Sequence, residues 1–254
     1  MTKHGHPSTT ALSVNDLHKD YQLGNTRLAV LKGLSIDVAV GEMVAIMGPS
    51  GSGKTTLLNC ISGIDIPDRG TVSINSNTVE FASETARTLL RRHQIGIIFQ
   101  FFNLIPTLTV RENVSLPFLI SKNSTPKKHR EIDLLLEIVG MNQRSDHYPF
   151  QLSGGEMQLV SIARALVHKP SLVLADEPTG NVNPRVGRSI MEILRKTTKK
   201  QNTGVLMVTH SSEHASWADR ICFLKEGVIV DEFRQFGQHD EVSAIYNKLM
   251  SLEI

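Results

Sequence analysis

Long apolar runs are missing from this sequence. Stretches such as IGIIF and LVLA fall far short of the roughly 18 to 20 residues that span a bilayer, so the chain itself is not expected to cross a membrane. An excess of one charge is missing too. The chain has 27 Lys plus Arg against 25 Asp plus Glu, and this formal net charge of +2 gives no general pull toward nucleic acid or an anionic membrane. Any such partner has to be recognised locally. Cysteine is scarce: Cys60 and Cys222 each lie inside an apolar segment, outside any paired or metal-ligand spacing, which suits a reducing cytoplasm. The first residues, MTKHGHPSTT, have no apolar core after their basic residue and do not read as a secretory signal. His4 and His6 could hold a metal, but they read more simply as part of a flexible tail over residues 1–11. There is no internal repeat or low-complexity block.

What is present is alternation. A length of 254 residues allows one large domain or one domain with a smaller insert. From about residue 42 strand-like and helix-like runs alternate, the pattern of a mostly parallel sheet covered by helices. The earlier part differs: Leu12 to Tyr21 and Leu28 to Val40 are half-alternating runs around a Gly24-Asn25 turn signal, which predicts antiparallel strands. Four short apolar runs then end in residues able to do chemistry. EMVAIM ends at Gly48, IGIIF at Gln100, SLVLA at Asp176-Glu177 and VLMVT at His210. Parallel strands point the same way, so these ends should gather at the sheet edge where open α/β folds bind ligands. Between about residues 101 and 153 the texture turns helical, with Ile132, Leu135, Leu136 and Val139 forming one apolar face closed by Gly140. A last amphipathic helix is expected from about His239 to Leu252, with Val242, Ile245, Leu249 and Leu252 on one side.

Gly48-Pro49-Ser50-Gly51-Ser52-Gly53-Lys54-Thr55 is a complete phosphate-loop pattern between a strand run and the helical TTLLNCISG. Glycines let backbone N–H groups turn inward around phosphate oxygens, and the following helix adds its dipole. Lys54 supplies a point charge and Thr55 a hydroxyl for Mg²⁺. Gly48, Ser50, Gly51, Ser52, Gly53, Lys54, Thr55 and Thr56 are therefore expected to hold the nucleotide. Asp176, on a strand end, suits a carboxylate that holds magnesium, while Glu177 is placed to orient or deprotonate an attacking water.

A second glycine-rich helix start raises a different question. In QLSGGEMQLV, Ser153-Gly154-Gly155 precede Val160, Ala163 and Leu166, an apolar face at helical spacing. Unpaired N–H groups there point at an anion. A plain helix cap accounts for Ser153 but not for two glycines, each of which lowers helix stability by roughly 1 kcal/mol relative to alanine.

Taken together, GPSGSGKTT, Gln100, LSGGE (152–156), LVLADEP (172–178) and His210 occur in the order and approximate spacing of ATP-binding subunits of ABC transporters, which this chain resembles over about residues 12–230. The resemblance implies an α/β P-loop NTPase core with a mostly parallel sheet, an N-terminal antiparallel β subdomain, a helical subdomain over about 101–153 and a C-terminal helical extension over 231–254. It implies that Tyr21 stacks on adenine and that Gln100 touches the metal or its water and senses a membrane partner. His210 would contact the γ-phosphate. Ser153, Gly154 and Gly155 would contact the γ-phosphate held by a second, facing copy, so that two copies sandwich two ATP molecules. Three positions depart from the pattern: Met157 and Leu159 stand where polar residue and arginine are usual, and Asn183 where aspartate is usual. Because Lys54, Glu177 and His210 remain, a working ATPase is expected.

The segment from Gln100 through DEPTGN is similar to the branch serving lipoprotein release, macrolide-type export and cell division. That similarity implies an integral membrane permease as partner, a peripheral position on the cytoplasmic face of the membrane, and mechanical output. Phe101, Phe102, Leu104 and Ile105 are either core of the insert or part of a groove for a permease helix. The basic stretch Arg195 to Lys200 reads as the solvated end of a helix that begins at Pro184, and no nucleic acid partner is expected. A soluble ABC-type ATPase of DNA repair or translation is the alternative, but the chain has one phosphate loop and no heptad run. A P-loop kinase or GTPase leaves LSGGE unexplained.

Overall fold

The computed structural model describes residues 10–121, 125–234 and 242–254. The expected tail with His4 and His6, and the first residues of the helix expected from His239, lie outside the described residues. Two long strands open the fold, β1 (Thr10–Leu23) and β2 (Thr26–Ala39), paired antiparallel with Tyr21 opposite Leu28. β1 also pairs antiparallel with β4 (Arg69–Ile74), which carries the short β5 (Asn77–Thr78), giving a four-stranded sheet of order β2-β1-β4-β5. Leu34, Ile36 and Val38 of β2 are buried while the residues between them are exposed, the period-2 signature of a half-buried sheet.

The main sheet is β3 (Met43–Met47), β6 (Ile95–Ile98), β7 (Leu172–Asp176), β8 (Gly204–Val208), β9 (Arg220–Lys225) and β10 (Val228–Arg234), in the order β10-β9-β3-β8-β7-β6. All its neighbours pair parallel except β9 with the edge strand β10. β3, β8, β7 and β6 are consecutive in the sheet, so the four strand ends singled out in the sequence lie side by side. Both faces are covered, which is why β3 and β8 are buried at every position. Met43, Ala45 and Met47 face one core, packed with helices of the insert and the C-terminal half; Val44 and Ile46 face another, shared with the antiparallel sheet.

Helices α1 (Lys54–Ile61) and α2 (Glu84–His93) lie between β3 and β6. From β6 the chain passes through α3 (Val110–Ile120) and α4 (Pro126–Ile138), then two single 3-10 turns at Asn142–Arg144 and Pro149–Gln151. It returns through α5 (Gly154–Leu166) to β7. Ile132, Leu136 and Val139 are buried with Leu135 packed beside them, and Gly140 takes the left-handed φ of 70° that ends the helix. α6 (Pro184–Gln201) connects β7 to β8, and α7 (Ser212–Ala215) connects β8 to β9. The basic end of α6 is not merely solvated, since Arg195 and Lys199 both pair with Asp219, which accepts the Met43 N–H. The last helix, α8 (Val242–Ser251), buries Ile245 and rests Leu249, Leu252 and Ile254 on the core. No helix is long and apolar enough to cross a membrane among the described residues.

Candidate functional site

β3 delivers Gly48 into a tight space: a Cβ there would stand 2.1 Å from the Leu224 carbonyl oxygen of β9, so only glycine lets the loop leave the sheet. The loop then turns through Gly51 and Gly53 at φ 80° and 104°, and α1 starts at Lys54. Lys54 Nζ donates to the carbonyls of Gly48 at 2.9 Å and Pro49 at 2.8 Å. Burial pushes its pKa down, opposed by the carboxylates of Glu177 and Asp176. Ser52 Oγ is buried with no hydrogen-bond partner among the described residues.

At the end of β7, Asp176 Oδ2 accepts from Thr55 Oγ1 at 2.9 Å. Burial raises the Asp176 pKa, against the Thr55 bond and Lys54. Both charges at the loop are thus penalised by burial, and a polyanion beside Lys54 with a cation beside Asp176 removes both penalties. A carboxylate and a hydroxyl on adjacent elements are hard oxygen donors of the kind Mg²⁺ takes together with phosphates. No group of three or more His, Cys, Asp or Glu able to hold a metal occurs among the described residues.

Glu177 sits at φ 45°, a left-handed conformation that costs a non-glycine residue about 1–3 kcal/mol and is kept here by its N–H bond to the Val208 carbonyl at 3.0 Å. This turn brings Glu177 Oε1 to 2.9 Å from His210 Nδ1. The Glu177 side chain is 12% exposed and that of His210 74%. Met47, Gly48, Pro49, Ser50, Lys54, Glu177 and His210 line one cavity of about 290 Å³, together with Leu249 and Ile254. Such a cavity can hold a phosphate against Lys54 and a water against the Glu177 carboxylate.

Gln100 is exposed, and its carbonyl, rather than its side chain, is engaged, accepting from Asn181 Nδ2 at 2.9 Å. Tyr21 is partly buried and its hydroxyl donates to Asp65 Oδ2. Ser153 caps α5 in a reciprocal box: its Oγ accepts the Glu156 N–H at 3.3 Å, and Glu156 Oε2 accepts the Ser153 N–H at 2.8 Å. Packing explains part of the glycine pair, since a Cβ on Gly155 would meet Val186 at 3.1 Å, while one on Gly154 would meet Phe102 at an ordinary 3.4 Å. None of Ser153, Gly154 and Gly155 lines the cavity at the phosphate loop.

Several residues escaped sequence reasoning. Gln158, between Met157 and Leu159, is buried and donates to the Pro178 carbonyl at 2.8 Å, tying α5 to the turn after Glu177. A polar residue on the buried face of α5, three before Ser161, was the available signal. Met157 and Leu159 pack against the core, and Asn183 caps α6 by accepting the Val186 N–H at 3.0 Å, so the departures from the family pattern are structurally accommodated. His214 Nδ1 meets Thr179 Oγ1 at 2.8 Å beneath the same turn.

The model of the ABC transporter family matches residues 31–180. The chain belongs to this family. An uncharacterized ABC transporter ATP-binding protein of Mycobacterium tuberculosis is 45% identical over 230 residues, covering 91% of this chain and 93% of its own length. The lipoprotein-releasing system ATP-binding protein LolD of Pseudomonas fluorescens is 42% identical, covering 86% of this chain and 96% of its own. Among solved structures, the dimeric ATP-binding cassette MJ0796 in a post-hydrolysis state with ADP and Pi superposes with a TM-score of 0.83 at 37% identity, over 89% of this chain and 100% of that one. The chain is the ATP-binding, ATP-hydrolysing cassette of an ABC transporter, with the α/β fold expected from its sequence.

Leu249 of α8 and Ile254 beyond its end help line the cavity at the phosphate loop, a contribution that no phosphate-loop pattern contains. Leu249→Asp places a carboxylate beside the phosphate loop and should weaken ATP binding about tenfold. Titrations with ATP, ADP and AMP should show the loss shrinking as the nucleotide loses charge.

Proposed function

We propose that two copies of this chain close over two ATP molecules and drive a permease of the lipoprotein-release type from the cytoplasmic face of the membrane. The separation of the two glycine-rich helix starts carries this reading. Lys54, Glu177 and His210 share one cavity while Ser153, Gly154 and Gly155 lie outside it, so the second helix start is free to meet a phosphate held by another copy. In each half-site the loop from Gly48 to Thr56 holds the triphosphate and Tyr21 carries the adenine. Thr55, Asp176 and Gln100 would hold Mg²⁺, which would offset charge on the phosphate oxygens. Glu177 takes a proton from the attacking water, with His210, its hydrogen-bond partner at 2.9 Å, beside the γ-phosphate. Residues 12–230 form the cassette, whose edge strand β10 runs on to Arg234, with about 101–153 its helical subdomain; the rest of 231–254 is an extension, and no nucleic acid takes part. The relatives that bear the lipoprotein-releasing name support the branch.

The permease contact is a groove of about 240 Å³ on α2, α3 and α5, lined by Thr88, Arg91, Leu116, Pro117, Ile120 and Arg164 among others. Phe101, Phe102, Leu104 and Ile105 are not in it: Leu104 packs on the core, Phe102 lies against Gly154, and Phe101 is 68% exposed. Arg164 donates to the carbonyls of Asn103 and Phe102, so the groove touches the segment that leads back to Gln100. Ile120→Asp should keep ATP binding and ATP-dependent dimerisation but lose the stimulation of hydrolysis by the co-reconstituted permease. Full stimulation in that variant would remove the groove from the permease contact.

A further inference from the structure

Tyr21 does not project freely from β1. Its hydroxyl donates to Asp65 Oδ2 at 2.6 Å, while Asp65 Oδ1 accepts Lys19 Nζ at 2.7 Å and the Ile66 N–H at 2.8 Å. Lys19 Nζ also donates to the Ile66 carbonyl at 2.8 Å and stands 5.1 Å from the centroid of the Tyr21 ring. The Lys19 and Asp65 side chains are only 12% and 26% exposed, so their pairing is sheltered, unlike an ordinary surface ion pair. Burial opposes both charges. The hydrogen bonds overcome it, holding the Asp65 carboxyl below its usual range and the Lys19 ammonium above.

The carboxylate is itself fixed to the helix that follows the phosphate loop. Asp65 follows α1, the helix that opens with Lys54, and the N–H groups of Ile64 and Asp65 both donate to the Asn59 carbonyl, at 3.0 and 3.1 Å. One short helix therefore carries the phosphate-binding residues at its start and the anchor of the aromatic ring just past its end, although the ring itself comes from strand β1.

We propose that Asp65, braced by Lys19, is a positioning residue that fixes the Tyr21 ring as a preset platform for adenine, an inference that rests on the assignment of Tyr21 to the base. Lys19 engages the ring as a cation, and the hydroxyl bond removes rotation about the Tyr21 side chain before the nucleotide arrives. The base then stacks on a surface that is already ordered, and affinity is gained by avoiding the entropy loss of ordering it. The tie to α1 keeps the platform in register with the triphosphate cradle.

The test compares ATP with inorganic tripolyphosphate, which needs the cradle but no platform. Tyr21→Ala should weaken ATP binding about tenfold or more, the size of one lost base–aromatic stack. Asp65→Ala and Tyr21→Phe should each weaken it about three- to tenfold, and the double variant should be no worse than either, because both remove the same hydrogen bond. Tripolyphosphate affinity should not change in any of them, and the loss should appear in KM for ATP rather than in kcat. Wild-type ATP affinity in Asp65→Ala, with Tyr21→Ala still impaired, overturns the positioning role alone. An equal loss for tripolyphosphate overturns it as well, by making Asp65 a support of the loop itself. Unchanged ATP affinity in Tyr21→Ala removes the adenine assignment and the proposal with it.

Discussion

Glu177→Gln should lower the turnover of ATP by about 10²- to 10⁴-fold, the contribution of a positioned general base, and should leave ATP bound. The substitution keeps the size of the side chain and a hydrogen-bonding partner for His210, which meets Glu177 at 2.9 Å. The strained turn at Glu177 is a property of its backbone, held by the bond to Val208, and glutamine inherits it. Only the ability to accept a proton is lost. Measured turnover within a factor of two of the wild type would take the base assignment away from this carboxylate.

Gly154→Asp should produce a different failure. A Cβ at Gly154 meets Phe102 at 3.4 Å and the Asn181 carbonyl at 3.5 Å, ordinary contacts, so the fold tolerates the new side chain. A carboxylate at the first position of α5 is moreover favoured by the helix dipole, by about 0.3–1 kcal/mol. Stability should therefore not fall, as a thermal melt will show. On the proposed two-copy reading the same carboxylate stands where a facing copy's phosphate arrives, and it should cut cooperative hydrolysis by about a hundredfold or more, comparable to losing a donor that stabilises a developing anion. ATP binding to the single chain should stay within twofold of the wild type. Loss of that binding would mean that Ser153–Gly155 serve their own chain's nucleotide.

How much of this was legible in the sequence depends on how local the cause is. The four strand ends at Gly48, Gln100, Asp176 and His210 could be read because strand direction alone gathers them, and β3, β8, β7 and β6 are neighbours in one parallel sheet. The antiparallel pair β1 and β2 followed from a turn signal between two alternating runs. The apolar face of α4 followed from helical spacing and its closing glycine. Contacts across the fold could not be read in this way. Tyr21 and Asp65 are brought together only when the N-terminal sheet packs over α1, and no local pattern marks Asp65 as a partner. Leu249 looked like one apolar residue among several on an amphipathic helix, yet it helps line the cavity around Lys54 because α8 folds back onto the core. Gln158 was hidden between two apolar neighbours, and its buried bond to Pro178 depends on where α5 meets the end of β7. The groove on α2, α3 and α5 has no local signal for the same reason. The aromatic run after Gln100 is conspicuous in sequence, whereas Leu116, Pro117, Ile120 and Arg164 come from separate elements.

The decisive quantity is the mass of the nucleotide-bound protein. Glu177→Gln, saturated with ATP and examined by light scattering, should have the mass of two chains with two nucleotides bound, and adding Gly154→Asp in the same background should return it to one chain with ATP still bound. A single-chain mass for Glu177→Gln at saturation, with the permease reconstituted alongside, would contradict the two-copy site.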